Sequence, residues 1–177
     1  MEEQSPQPKD KTKAMGQWMH YAAWIAGLLL LTLFFDDTIE QKHNPNRAPQ
    51  SNKDAYGNIE VVLQRNRQGH YIMNGYINDT LVTFLLDTGA TNVSIPEHVA
   101  QKIGLEYGRE RRVNTANGSV TVYQTNLNTL QLGDIVLHNV RGNINPHMDN
   151  DAILLGMSAL KHLEFTQRGD TLTLKYY

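Results

Sequence analysis

From about residue 57 to the C-terminus, apolar side chains come in short runs that alternate with polar ones, and Gly, Asn and Asp punctuate the runs. A period of two puts every second side chain on one face of an extended chain, whereas a helix repeats every 3.6 residues. Residues 57–177 are therefore expected to form a mainly β domain. Candidate strands are Ile59–Gln64, His70–Ile77, Leu81–Leu86, Arg112–Thr115, Val120–Leu132, Ile135–Asn143, Ala152–Leu155 and Thr171–Tyr177. A short helix should follow Ser94, with Pro96 near its first turn, Gly104 as its stop, and Val99 and Ile103 facing inward. A second should run from Met157 to His162.

Upstream the chain changes character. No Asp, Glu, Lys or Arg occurs from Ala14 to Phe35, and Tyr21 to Phe35 is almost wholly apolar. About 20 residues at a rise of 1.5 Å cross a hydrocarbon layer of about 30 Å, and Trp18, Tyr21 and Trp24 suit an interface. Residues 14–35 are read as a single N-terminal transmembrane helix. A cleaved signal peptide would need small residues after the run, where Phe34-Phe35-Asp36-Asp37 stands instead. A helix buried in a soluble core would not be apolar all round between polar flanks. Lys9, Lys11 and Lys13 precede the run and favour a cytoplasmic tail at 1–13. Residues 36–56, with Pro45, Pro49 and few apolar groups, read as a flexible linker.

Composition removes several chemistries. The chain has no cysteine, which excludes disulfides, thiolate zinc sites and cysteine nucleophiles. A formal net charge of −2 offers no field for nucleic acid. Seven histidines are present, but none pairs with another at helical i, i+4 spacing, and His147 with Asp149 and Asp151 reads as a solvated loop rather than a metal site. No Gly-x-Ser-x-Gly elbow is present. Neither a metal nor an organic cofactor is expected.

The chemistry concentrates at Leu85-Leu86-Asp87-Thr88-Gly89-Ala90-Thr91. An apolar strand delivers Asp87 to the edge of a core, where a carboxylate is costly unless it is hydrogen-bonded or paired. Gly89 lets the backbone fold close to that carboxylate and offers its N–H, while Thr88 and Thr91 supply hydroxyls. Taken alone, Asp-Thr-Gly is also an ordinary turn sequence. Two further segments stand in order behind it: Val113 to Val120, whose Ala116-Asn117-Gly118 reads as a hairpin tip, and Ala152 to Met157, containing Leu154-Leu155-Gly156.

Phe84 to Ile95, together with these two segments, resembles the retropepsin-like aspartic peptidases, in particular the bacterial single-pass membrane members, across residues 57 to 177; in that likeness Phe84 to Ile95 supplies an apolar strand, the catalytic loop and a following strand. The resemblance implies the closed β-barrel of an acid-protease half, with Asp87 as the catalytic residue and Thr88, Gly89, Ala90 and Thr91 supporting its loop. It implies a flap at Ala116, Asn117 and Gly118, and an apolar segment Leu154, Leu155, Gly156 packed beneath the loop. It also implies an inner-membrane location with a periplasmic peptidase domain.

Aspartic peptidases need two carboxylates sharing one proton, because like charges about 3 Å apart cannot both ionise. This chain has one motif; Asp79, Asp134, Asp149, Asp151 and Asp170 sit in turn-like or polar settings. The second Asp87 is expected from another copy, since a two-fold axis duplicates it. The expected partners are thus a second copy of the chain, an extended peptide or protein substrate added as a strand, and the membrane. Ile95, Val113 and Leu154 are expected to line apolar subsites. The alternative is a non-catalytic peptide-binding or scaffold module that retains the peptidase fold.

Overall fold

A computed structural model describes residues 11–115 and 118–177, and the side chains of all of these except 11–17 and 35–40. The chain divides into two compact units, 1–40 and 41–177. Helix α1 spans Lys11–His43. Its described side chains from Trp18 to Phe34 are all exposed. Among the described residues no helix is long and apolar enough to cross a membrane. The expected span 14–35 extends at both ends into residues whose side chains lie outside that set.

Beyond the end of α1, the described residues of the second unit form eleven strands and two short helices. The strands are β1 (Gln50–Lys53), β2 (Ile59–Gln64), β3 (Ile72–Ile77), β4 (Thr80–Leu86), β5 (Val93–Pro96), β6 (Glu110–Thr115), β7 (Gly118–Leu132), β8 (Ile135–Asn145), β9 (Ile153–Leu155), β10 (Glu164–Arg168) and β11 (Thr171–Tyr176); the helices are α2 (Glu97–Lys102) and α3 (Met157–Leu160). Seven strands form a sheet in the order β3-β4-β9-β5-β8-β7-β6, and a further pairing of β3 with β7 closes it. The barrel is thus six strands round, with β6 folded back from β7 as a projecting hairpin. The other four strands form a sheet in the order β1-β2-β11-β10.

The alternation seen in the sequence becomes burial. Val82 and Phe84 of β4 point inward, with Phe84 fully buried, while Leu81 is exposed at the strand's start. Leu172 and Leu174 of β11 are buried between less buried Thr171, Thr173 and Lys175. Val99 is buried and Ile103 packs against the core. Ile95 lies at 0% exposure in that core. It is therefore not the subsite wall expected of it, because β5 continues the barrel and turns this side chain inward.

The stretch expected to be a flexible linker is instead partly fixed. Helix α1 runs through His43, and Gln50–Lys53 pairs with β2. Between them Asn46, only 4% exposed, donates from Nδ2 to the carbonyls of Gln64 (2.9 Å) and Ile72 (2.7 Å) and accepts from the Gln64 N–H (2.7 Å). Asn44 Nδ2 donates to Asn74 Oδ1 at 2.8 Å. The physical reason is that amide side chains meet backbone groups that the sheets leave unpaired, which composition does not reveal.

A charge cluster ties β1 to the C-terminal strand. Lys175 Nζ lies 2.6 Å from Asp54 Oδ2 and 3.2 Å from Glu60 Oε1. The Lys175 hydrogen bond, helped by Asn58, holds the Asp54 carboxyl well below the usual carboxylate range, and Asp54 and Glu60 hold Lys175 above the usual lysine value. Because the Asp54 value is depressed, its contribution to stability is complete above the unfolded value of about 3.9 and is lost as pH falls through the folded one. The Lys175 contribution persists up to its unfolded value of about 10.4 and is lost only as pH rises through the raised folded one. The fold is thus braced in mildly acidic solution. In Lys175→Met the thermal midpoint should fall less steeply between about pH 5 and pH 2 than in the parent; identical slopes in calorimetry would remove this cluster from the account.

Candidate active site

Asp87 follows the last residue of β4, at the point where β4 lies parallel to β9 with Leu85 opposite Leu154 and Leu86 opposite Leu155. Its backbone N–H donates to the Leu155 carbonyl (3.2 Å), which extends the pairing by one residue and fixes where the side chain leaves the sheet. The chain then turns: the Ala90 N–H donates to the Asp87 carbonyl at 3.2 Å, and the Gly89 N–H donates to Asp87 Oδ1 at 2.8 Å. One carboxylate oxygen is held, and Oδ2 has no hydrogen bond among the described residues.

The loop is clamped from below by the segment after β9. The Met157 N–H donates to the Ala90 carbonyl (2.8 Å) and the Ser158 N–H to the Thr91 carbonyl (2.9 Å). Gly156 makes this approach feasible: a Cβ there would stand 2.3 Å from the Asn92 oxygen and 2.6 Å from the Ala90 oxygen. Ser158, which sequence reasoning passed over, completes the clamp. Its Oγ accepts from the Val93 N–H (2.9 Å) and donates to the Arg141 carbonyl (2.7 Å), linking β5 to β8 beneath the loop. No motif marks it, because a serine in a short helix looks like any other.

Thr88 and Gly89 are exposed, Asp87 and Ala90 are half-buried, and Thr91 is exposed. The Thr88 hydroxyl makes no hydrogen bond among the described residues. Asp87 and Thr88 face a cavity of about 430 Å³ whose other walls include Tyr71, Leu86, Phe165 and Leu172. The Tyr71 hydroxyl is buried and has no partner among the described residues.

The β6–β7 hairpin pairs Thr115 with Gly118, so Gly118 opens the returning strand. Ala116 and Asn117 lie outside the described residues. The other carboxylates occupy turns: Asp79 has a positive φ of 67° between β3 and β4, Asp134 follows Gly133, and Asp170 pairs with Arg65. Asp151 contacts His98 Nε2 at 2.8 Å. Among the described residues no three His, Cys, Asp or Glu side chains gather as a metal site.

The site is thus a single carboxylate held through one oxygen, on a loop clamped by backbone bonds. The family model described as gag-polyprotein putative aspartyl protease matches residues 73–162, which include Asp87, the β6–β7 hairpin and Gly156. The chain belongs to the retropepsin-like aspartyl protease family. Among solved structures, the crystal structure of a retropepsin-like aspartic protease from Rickettsia conorii is 32% identical, with a TM-score of 0.58, and the match covers 72% of this chain and 96% of that one. Among curated sequences, an uncharacterized protein in the cobV 5′ region of a Sinorhizobium species is 34% identical over 69% of this chain and 54% of its own length. An uncharacterized Rickettsia prowazekii protein is 31% identical over 66% of this chain and 52% of its own. This retropepsin-like chain thus spans about half the length of the curated relatives it matches.

Proposed function

We propose that the chain is an aspartic endopeptidase that works as a homodimer, with the Asp87 carboxyls of two copies sharing a proton and activating a water between them. The observation that carries this reading is that Asp87 shares its cavity with Phe165 of β10. Strand β10 is the outermost member of its sheet, and all five of its residues are exposed. Its free edge carries unpaired N–H and C=O groups, which an identical strand can satisfy across a two-fold axis. Such pairing would draw two Asp87 loops toward the axis, where the unengaged Thr88 hydroxyl and the buried Tyr71 hydroxyl would find polar partners.

In the assembled pair one carboxylate takes a proton from the water as it attacks the peptide carbonyl. The protonated mate donates to the carbonyl oxygen, and the proton then passes to the departing amine. The Gly89 N–H keeps Oδ1 oriented so that Oδ2 faces the water. The β6–β7 hairpin covers an extended substrate.

The same proposal places the chain at the inner membrane, with residues 57–177 outside the cytoplasm. Its support is the exposed apolar face of α1, including Trp18, Trp24, Leu28, Leu30 and Phe34, an uninterrupted surface of a kind that soluble proteins cover. Two copies held in one bilayer would also meet at raised effective concentration.

The test is an assay of the full chain on denatured casein at mildly acidic pH, using carbonate-washed membranes and detergent extracts in parallel. Pepstatin-sensitive cleavage that stays with the washed membranes, and whose specific activity in detergent falls on dilution, is expected. Activity indifferent to dilution and to pepstatin would overturn the dimeric reading, and recovery of the chain in the carbonate supernatant would overturn the membrane one.

A further inference from the structure

A second cavity, of about 420 Å³, lies between the segment after α2 and strands β7 and β8. Arg109, Arg111 and Arg141 all line it, and Glu106 is its only acidic wall. None of the three arginines has an ion-pair partner among the described residues. Three guanidinium groups against a single carboxylate leave the cavity with an excess of positive charge, which favours a bound anion.

The walls are set by backbone rather than by long side chains alone. The Gly108 N–H donates to the Gln124 carbonyl at 2.7 Å, and the Gln124 N–H donates to the Arg109 carbonyl at 3.0 Å, so the segment docks flush on β7 and carries Arg109 with it. A Cβ on Gly108 would lie 2.7 Å from the Gln124 oxygen, so a larger residue could not make this approach. Asn143 also lines the cavity: only 8% exposed, its side-chain amide has no hydrogen bond among the described residues. That amide opens onto the cavity, where it can donate to or accept from a bound polar group.

The cavity adjoins the catalytic loop. Asn92, five positions after Asp87, forms part of its wall. Five residues reach at most about 17 Å, so a peptide extended through the cleft covers the same span with about five residues. Arg109 and Arg111 flank the start of β6, the strand that leads to the hairpin tip.

We propose that this cavity is a substrate subsite for an anionic side chain located within about five residues of the scissile bond, with the three arginines supplying the charge and Asn143 an added hydrogen bond. The site makes the enzyme select acidic or phosphorylated segments. This inference rests on the peptidase reading for its placement in the substrate path, whereas anion binding itself does not depend on catalysis.

The test uses dodecapeptide libraries in which one scanned position is Glu, phosphoserine or Gln, with cleavage sites read by mass spectrometry. Binding of the same labelled peptides to the Asp87→Asn full chain is read by fluorescence anisotropy. The parent should prefer an anionic residue at one position by about tenfold or more, the effect of a single charge-assisted hydrogen bond. The ratio of Glu to phosphoserine identifies the source of the charge. In Arg109→Gln/Arg141→Gln the preference should collapse toward unity while peptides with Gln are cleaved as before. Equal binding and cleavage of anionic and neutral peptides by the parent would overturn the subsite and leave the peptidase standing. Preferential binding without any cleavage would keep the subsite and overturn the peptidase.

Discussion

Asp87→Asn is expected to lower peptide cleavage by about 10²–10⁴-fold, the range associated with loss of a positioned acid–base group, while the thermal midpoint stays close to that of the parent. Asparagine keeps an oxygen to accept the Gly89 N–H, so the loop retains the bond now made at 2.8 Å. What it loses is the capacity to ionise. Mixing gives a sharper readout: with equal amounts of parent and variant paired at random, about a quarter of the dimers carry two carboxylates, because the symmetric site needs both. Specific activity per total protein near a quarter of the parent's supports a shared site, and a value near a half means that each chain works alone.

Gly156→Ala should act through the fold instead. The new methyl would meet two backbone oxygens, those of Asn92 and Ala90, at 2.3 and 2.6 Å. No flexible side chain is there to yield, so either the loop or α3 must shift. Overpacking of this kind costs typically 1–3 kcal/mol, and here about 3 kcal/mol or more, because backbone and three clamp hydrogen bonds move together. Thermal unfolding and cleavage should both suffer, and a variant as stable as the parent would show that the clamp is looser than its distances suggest.

The barrel and its carboxylate were legible in the sequence because each rests on local pattern. Strand β2 falls on Ile59–Gln64 as its alternation predicts, and the bounds of β4, β7, β8 and β9 shift by a residue or two. The loop after Leu86 announced itself through residue types that few other chemistries require side by side. What escaped detection has its cause in contacts distant along the chain. Strand β10 buries none of its side chains, so it has no alternation to read, and Phe165 is its only large apolar residue. Ser158 and Asn46 act by bonding to backbone groups many positions away. The gathering of Arg109, Arg111 and Arg141 exists only once β8 lies beside β7.

The Asn46 plug has a bearing on where this polypeptide can be severed. Scission upstream of Asn44 would liberate residues that retain their stopper in the gap between Gln64 and Ile72, whereas scission between Asn46 and Gln50 would carry it away and leave those backbone groups to water. The first kind of cut leaves those three bonds in place; the second removes all of them.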